Sequence, residues 1–112
     1  MGTNEFKKGE KFSFNESIGY ADKAVVSKHV LKSEMGNISL FAFDKGEGLS
    51  EHTAPFDAIV SIVDGKAEVT IGGVSNMLEA GETIVIPANM SHALKAIEQF
   101  KMVLTMIKSS GK

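Results

Sequence analysis

From Ala24 onward the chain alternates apolar and polar side chains with a period of two, in short runs rich in Val, Ile, Phe and Thr. Gly, Asp, Asn and Pro interrupt these runs at close spacing, as turns do. The pattern predicts strands near 24–32, 37–43, 57–63, 66–71, 74–78, 82–86, 91–96 and 100–107. No stretch keeps a helical period, and no internal repeat or low-complexity segment is present. Eight short strands without a helix imply an all-β sandwich or barrel.

Alternation assigns faces. In 66–71, Lys66, Glu68 and Thr70 face water, so Ala67, Val69 and Ile71 face in. In 91–96, His92, Leu94 and Ala96 face in, and in 101–107 Met102, Leu104 and Met106 do. Val103 and Ile107 then point away from the interior. The run 37–43 is apolar on both faces, with Ile38, Leu40 and Ala42 on one and Phe41 and Phe43 on the other. A strand of that kind is covered by another layer or by another subunit, and we expect a homodimer, with 24–32 and 37–43 at the contact. Asp64-Gly65 and Gly72-Gly73 each separate two runs by two residues, which predicts two hairpins with type I′ turns. Ala80-Gly81 closes a third turn.

Residues 1–22 read as a polar arm, with Lys7, Lys8, Glu10 and Lys11 clustered and Phe6, Phe12, Phe14 and Tyr20 placed without a clean period. Those aromatics are expected to dock on another surface. Residues 23–112 form the barrel domain.

With 112 residues the chain is one domain with a sizeable core. No run is apolar and long enough to span a membrane, and the charged stretch from Glu5 to Lys11 is unlike a signal peptide. Cysteine is absent, which excludes disulfides, thiol catalysis and thiolate metal sites and fits a cytoplasmic setting. A net charge of −2 offers no basic field for nucleic acid. All twelve basic residues are Lys. Without Arg the chain lacks the two-pronged grip on phosphate and carboxylate, which disfavours phosphosugars and nucleotide-sugars as ligands.

The candidate chemistry lies between Gly46 and His92. One segment begins at Gly46, carries His52 six residues later, and ends at Gly65, with Ala54 and Ala58 between. A second runs from Gly81 through Pro87 and Asn89 to His92. On these two motifs, residues 44–107 resemble the small single-domain cupins, the RmlC-like jelly-roll family. The resemblance implies an antiparallel jelly-roll barrel, the double-stranded β-helix. In that family the first motif is Gly, five residues, His-x-His, then Glu, and the second is Gly, five residues, Pro-x-Gly, two residues, His. Gly65, His52, Gly81, Pro87 and His92 match. Asn89 replaces a Gly, a mild change because Asn tolerates left-handed backbone. Ala54 and Ala58 stand where the second His and the Glu would be.

The resemblance implies a divalent cation held by three His and a Glu inside the barrel. Of these the chain retains His52 and His92, and two imidazoles make a poor site for a cation that takes three or four protein ligands. His29 is a candidate third donor, set against the commoner reading of an isolated histidine at a sheet edge or subunit contact. Glu51 and Asp57 are one residue out of phase with the inward set and fit solvated carboxylates at the rim. Met90, Met102 and Met106 fit pocket lining, or thioether donation to copper(I), although such methionines ordinarily fill core gaps. Gly46-Glu47-Gly48 lacks the strand-to-helix setting of a phosphate loop and reads as a turn.

The expected site is therefore a barrel pocket lined by His52, His92, Ala54, Ala58, Met102 and Met106. It would take a small, largely apolar molecule, with the two histidines as polar contacts or as ligands of a weakly bound divalent transition metal. The alternative is a metal-dependent enzyme of dioxygenase or isomerase type that recruits a third donor such as His29. A blander alternative is an interaction module whose pocket is vestigial.

Overall fold

A computed structural model describes residues 6–108; the first five residues of the expected arm and the last four of the barrel domain lie outside the described residues. Seven strands follow one another: β1 (Val25–Ser33), β2 (Gly36–Phe43), β3 (Gly48–His52), β4 (Phe56–Ile71), β5 (Val74–Glu79), β6 (Thr83–Ile86) and β7 (His92–Lys108). All their pairings are antiparallel.

The architecture follows from β4 and β7, which pair along almost their whole length, from Phe56 opposite Lys108 to Ile71 opposite His92. Both bend midway and so pass through two sheets. The first half of β4 and the second half of β7 lie in a layer with β1, β2 and β6, while the remaining halves pair with β5 and β3. This is an all-β jelly-roll barrel. It is closed at the bend and has the two ends of β4 and of β7 together at the other end.

The bend corrects two sequence expectations. Asp64-Gly65 is not a hairpin turn. It sits inside β4, where the register shifts between Ile62 and Asp64 and again between Gly65 and Ala67. The runs 57–63 and 66–71 are one strand, and 91–96 and 100–107 are another. The first shift also switches the inward set of β4 from Ala58, Val60 and Ile62 to Ala67 and Val69, as a bulge must. Gly72-Gly73 does form the expected tight turn: φ is +55° and +84°, and Ile71 faces Val74. The turn at Gly81 (φ +93°) closes with the Glu82 N–H donating to Glu79 O at 2.9 Å, but the strands it joins pair with β4 and not with each other.

Two apolar clusters lie on opposite faces of the β1–β2–β7 layer. The inner one fills the closed end of the barrel, where Phe43 and Phe100 stack with centroids 4.5 Å apart and planes 11° from parallel. Ala67, Val69, Leu94, Ala96 and Met102 are buried with them, and Ile71, Leu104 and Met106 pack against the cluster. The outer cluster joins Leu40, Ala42 and Val103 to Phe6 and Ile18. Residues 6–24 hold no strand and lie across this outer face. The cover over β2 is thus the chain's own arm, whose Phe6 is buried and whose Tyr20 hydroxyl donates to Asp64. Lys28 Nζ donates to Ser17 O at 2.8 Å, and Lys101 Nζ to Asn15 O at 2.6 Å. No helix among the described residues is long and apolar enough to cross a membrane.

Candidate functional site

β3 places His52 directly opposite His92, the first residue of β7, so the two imidazoles share one rung at the open end of the barrel. Their ring centroids are 4.3 Å apart with planes at 60°. His92 is buried and His52 exposed, so one ring belongs to the wall and the other to the entrance.

Each ring is fixed the same way. His52 Nδ1 lies 2.7 Å from the carbonyl of Ser50, and His92 Nδ1 lies 2.9 Å from that of Met90. A carbonyl only accepts, so each Nδ1 carries the proton and donates. In the neutral ring Nε2 is then an unprotonated acceptor. Orientation of one ring nitrogen by a backbone carbonyl is the usual way a protein prepares the other nitrogen to bind.

The space below the pair is a cavity of about 50 Å³. Ala54, Phe56 and Ala58, from the start of β4 and the loop before it, form one wall. Met102, Leu104 and Met106 from β7 form another, and Leu49, Val60, Ile86 and Leu94 complete it. Apart from the two imidazoles, every one of these side chains is apolar. Surface depressions elsewhere are larger, about 320 Å³ beside Phe6 and Phe12 and about 340 Å³ beside His29, but neither reaches the histidine pair.

The structure thus brings His52, His92, Ala54, Ala58, Met102 and Met106 around one cavity. Met90 stands apart with its side chain exposed, contributing its carbonyl to His92. His29 is on β1, its Nδ1 3.1 Å from Ser39 Oγ, in a groove with Lys8 and Lys32. Glu51 accepts from Ser91 Oγ at 2.6 Å, and Asp57 accepts from the Ala88 N–H at 2.9 Å; both are exposed. Among the described residues no three His, Asp or Glu side chains come together as a metal site. The donor set does not fit the four-ligand cation that the cupin resemblance implies.

Asn89 adopts φ +66°, the left-handed conformation its position requires, and its N–H donates to Ala54 O at 2.8 Å. That bond ties the loop before His92 to the loop after His52 and holds the two walls of the entrance together. Leu49, Val60 and Ile86 are lining residues the sequence did not single out: Val60 and Ile86 read as ordinary core positions, and Leu49 lies outside every predicted strand.

The fold and motif order agree with comparison to known proteins. Residues 39–108 match the cupin domain family. A conserved protein of unknown function from Streptococcus pyogenes has the same fold, with a TM-score of 0.89 and 30% identity over 97% of this chain and 95% of that one. A cupin 2 conserved barrel domain protein from Leptotrichia buccalis is 35% identical, with a TM-score of 0.84 over 87% of this chain and 47% of that longer one. A cupin superfamily protein from Desulfitobacterium hafniense superposes with a TM-score of 0.87 at 25% identity over 96% of this chain and 97% of its own. An uncharacterized protein from Streptomyces coelicolor is 25% identical over 76 residues, 68% of this chain and 72% of that protein. This chain belongs to the cupin domain family.

Proposed function

We propose that the barrel is a binding site for a small, largely apolar molecule that presents a hydrogen-bond donor to His52 and His92. The observation that carries this reading is the pair of Nδ1–H to carbonyl bonds, which leaves two Nε2 acceptors at the top of an otherwise apolar cavity. A hydroxyl or N–H that enters there meets acceptors, and its hydrocarbon part meets Leu, Val, Ile, Met and Phe. No charged side chain lines the cavity, so a carboxylate or phosphate would be buried without a counter-ion, at high cost. The volume of about 50 Å³ lies far below the ~300 Å³ at which pockets for drug-sized ligands begin. The occupant is therefore of a few heavy atoms, or it displaces the half-buried Phe56 at the entrance.

Divalent metal is a weak occupant on this reading, because Ala54 and Ala58 supply no ligand atom. The alternative, a metal-dependent enzyme, needs a third donor, and its support is that the two surviving histidines face each other in register. Two experiments separate the readings. Titration with 1-butanol, followed by the ring resonances of His52 and His92 in NMR, should give saturable shifts that vanish in Val60→Phe, which fills the cavity. Unmoved ring resonances would remove the small-molecule reading. Protein purified without added metal should carry far less than one transition metal per chain; one tightly held metal per chain would favour the enzyme.

The same proposal places the protein in the cytoplasm as a homodimer. What supports the dimer is β1, an edge strand, together with exposed Leu31, Met35 and Ile107 beside it. An edge that no other strand among the described residues pairs, next to apolar side chains, fits a second copy of itself.

A further inference from the structure

We infer that a second copy of this chain docks on the outer face of the layer formed by β1, β2, β7, β4 and β6, about a two-fold axis that runs along β7 at Thr105. The inference rests on the dimer proposed above and names its surface and its symmetry. On that face Leu31 stands opposite Ile38, Ile38 opposite Thr105, Thr105 opposite Ile59 and Ile59 opposite Val85, so one rung crosses five strands. Its length is about 19 Å, four strand spacings. Alternation turns it outward. Ala58, Val60, Leu104 and Met106 line the cavity, so Ile59 and Thr105 between them point the other way, as Val85 does beside Ile86. Ile38 packs with the outer cluster, and Leu31 is its register partner. The arm buries the neighbouring rung at Leu40 and Val103. It does not bury this one: Leu31 is 47% exposed and Val85 58%, with Ile38, Thr105 and Ile59 half-buried between them.

An uncharged apolar row across a whole sheet marks a docking face, and the order of its side chains selects the occupant. From either end the rung reads aliphatic, Ile, Thr, Ile, aliphatic, a palindrome centred on Thr105. A two-fold axis along β7 therefore lays Leu31 against the partner's Val85, Ile38 against the partner's Ile59, and Thr105 against its own copy, where each hydroxyl can donate to or accept from the other. A contact between identical surfaces demands this self-complementarity, and a partner of unrelated sequence does not. The next rung toward the mouth continues the surface with exposed Ile107, flanked by Gly36 on β2 and Asp57 on β4. The same axis sets Asp57 over the partner's Gly36, so the carboxylate meets no like charge there. It also keeps the two arms at one end of the contact, where the sheets diverge to admit them. The surface is continuous with Leu31, Met35 and Ile107, the exposed side chains that support the dimer, and it backs the pocket wall built from β4, β6 and β7.

The test is sedimentation velocity of the full chain over a concentration series. Wild type should sediment as a dimer at micromolar concentration. Val85→Lys and Leu31→Glu, at exposed positions on the two outermost strands of the layer, should each raise the dimer dissociation constant at least a hundredfold and leave the circular dichroism unchanged. Mixed in equal amounts, the two variants should form a heterodimer. One of its two contacts is then the native Leu31–Val85 pair, and the other joins the introduced carboxylate to the introduced ammonium. The reversed charges, Leu31→Lys with Val85→Glu, give the same reading where either variant fails to fold. Val74→Lys, equally exposed but on β5, should remain dimeric. A dimer that tolerates Val85→Lys and not Leu31→Glu would place the contact at the edge of β1 and overturn the face. Two monomeric variants that do not combine would overturn the axis. A monomeric wild type would overturn the dimer reading itself, and this inference with it.

Discussion

The backbone of Gly65 passes so close to Gln99 that a Cβ at position 65 would overlap the Gln99 carbonyl oxygen and stand 2.7 Å from Phe100 Cα. Gly65 also has φ +83°, which a side chain resists. This contact is the corner at which β4 and β7 turn together from one sheet into the other, and the stack of Phe43 on Phe100 sits beside it. Gly65→Ala should therefore cost about 3 kcal/mol or more, because strain and a backbone clash add at one position. Urea unfolding measures it, and a loss under about 1 kcal/mol would show that the corner yields.

Tyr20 locks the arm to the barrel and makes stability depend on alkaline pH. Burial, the hydrogen bond to Asp64 and the negative charge of Asp64, in that order, raise the pKa of its phenol well above the ordinary 10.0. The folded state therefore keeps a proton that the unfolded chain gives up. The contribution is complete below pH 10 and is lost progressively as pH rises from there toward the folded-state pKa. Wild type should lose stability faster than Tyr20→Phe above pH 10 in denaturant midpoints taken across that range. Parallel pH profiles for the two proteins would contradict the lock.

Rebuilding the missing ligands should restore the metal site. Ala54→His with Ala58→Glu adds an imidazole and a carboxylate around the cavity. Zinc affinity measured by calorimetry should rise at least a hundredfold over wild type. Without metal, the buried carboxylate should destabilise the double variant, so its melting temperature should become zinc-dependent. Unchanged zinc affinity in a folded double variant would mean that the walls are not placed as in metal-binding cupins.

Light scattering should report a dimer at micromolar concentration, and Leu31→Lys with Ile107→Lys should make it monomeric by placing charge on the exposed apolar patch. A wild-type monomer at that concentration would remove the dimer.

Much of this could be read from the sequence because period-two alternation is a direct record of which face is buried. Ala67 and Val69 declare themselves between Lys66, Glu68 and Thr70, and Leu94 and Ala96 on either side of Lys95. The long strands could not be read. Asp64-Gly65 reads the same whether it makes a bulge, where Gly65 alone is left-handed, or a hairpin turn, where both residues would be, and the choice is made with Gln99 on another strand. β3 escaped for a different reason. In Gly48–His52 only Leu49 is even half-buried, so no alternation marks it. In the site, motif spacing located His52 and His92, and their facing strands could be inferred. The atoms that set their tautomer are the carbonyls of Ser50 and Met90, which every residue type carries and no sequence pattern reveals.

The tautomers carry the whole reading of the pocket, and they can be measured without a ligand. Long-range proton–nitrogen correlation spectra of the ring nitrogens, recorded at a pH where both imidazoles are neutral, distinguish a protonated nitrogen from a bare one. Both His52 and His92 should show a protonated Nδ1 and a lone-pair Nε2. A protonated Nε2 on either ring would mean that the cavity does not present two acceptors, and would contradict the account.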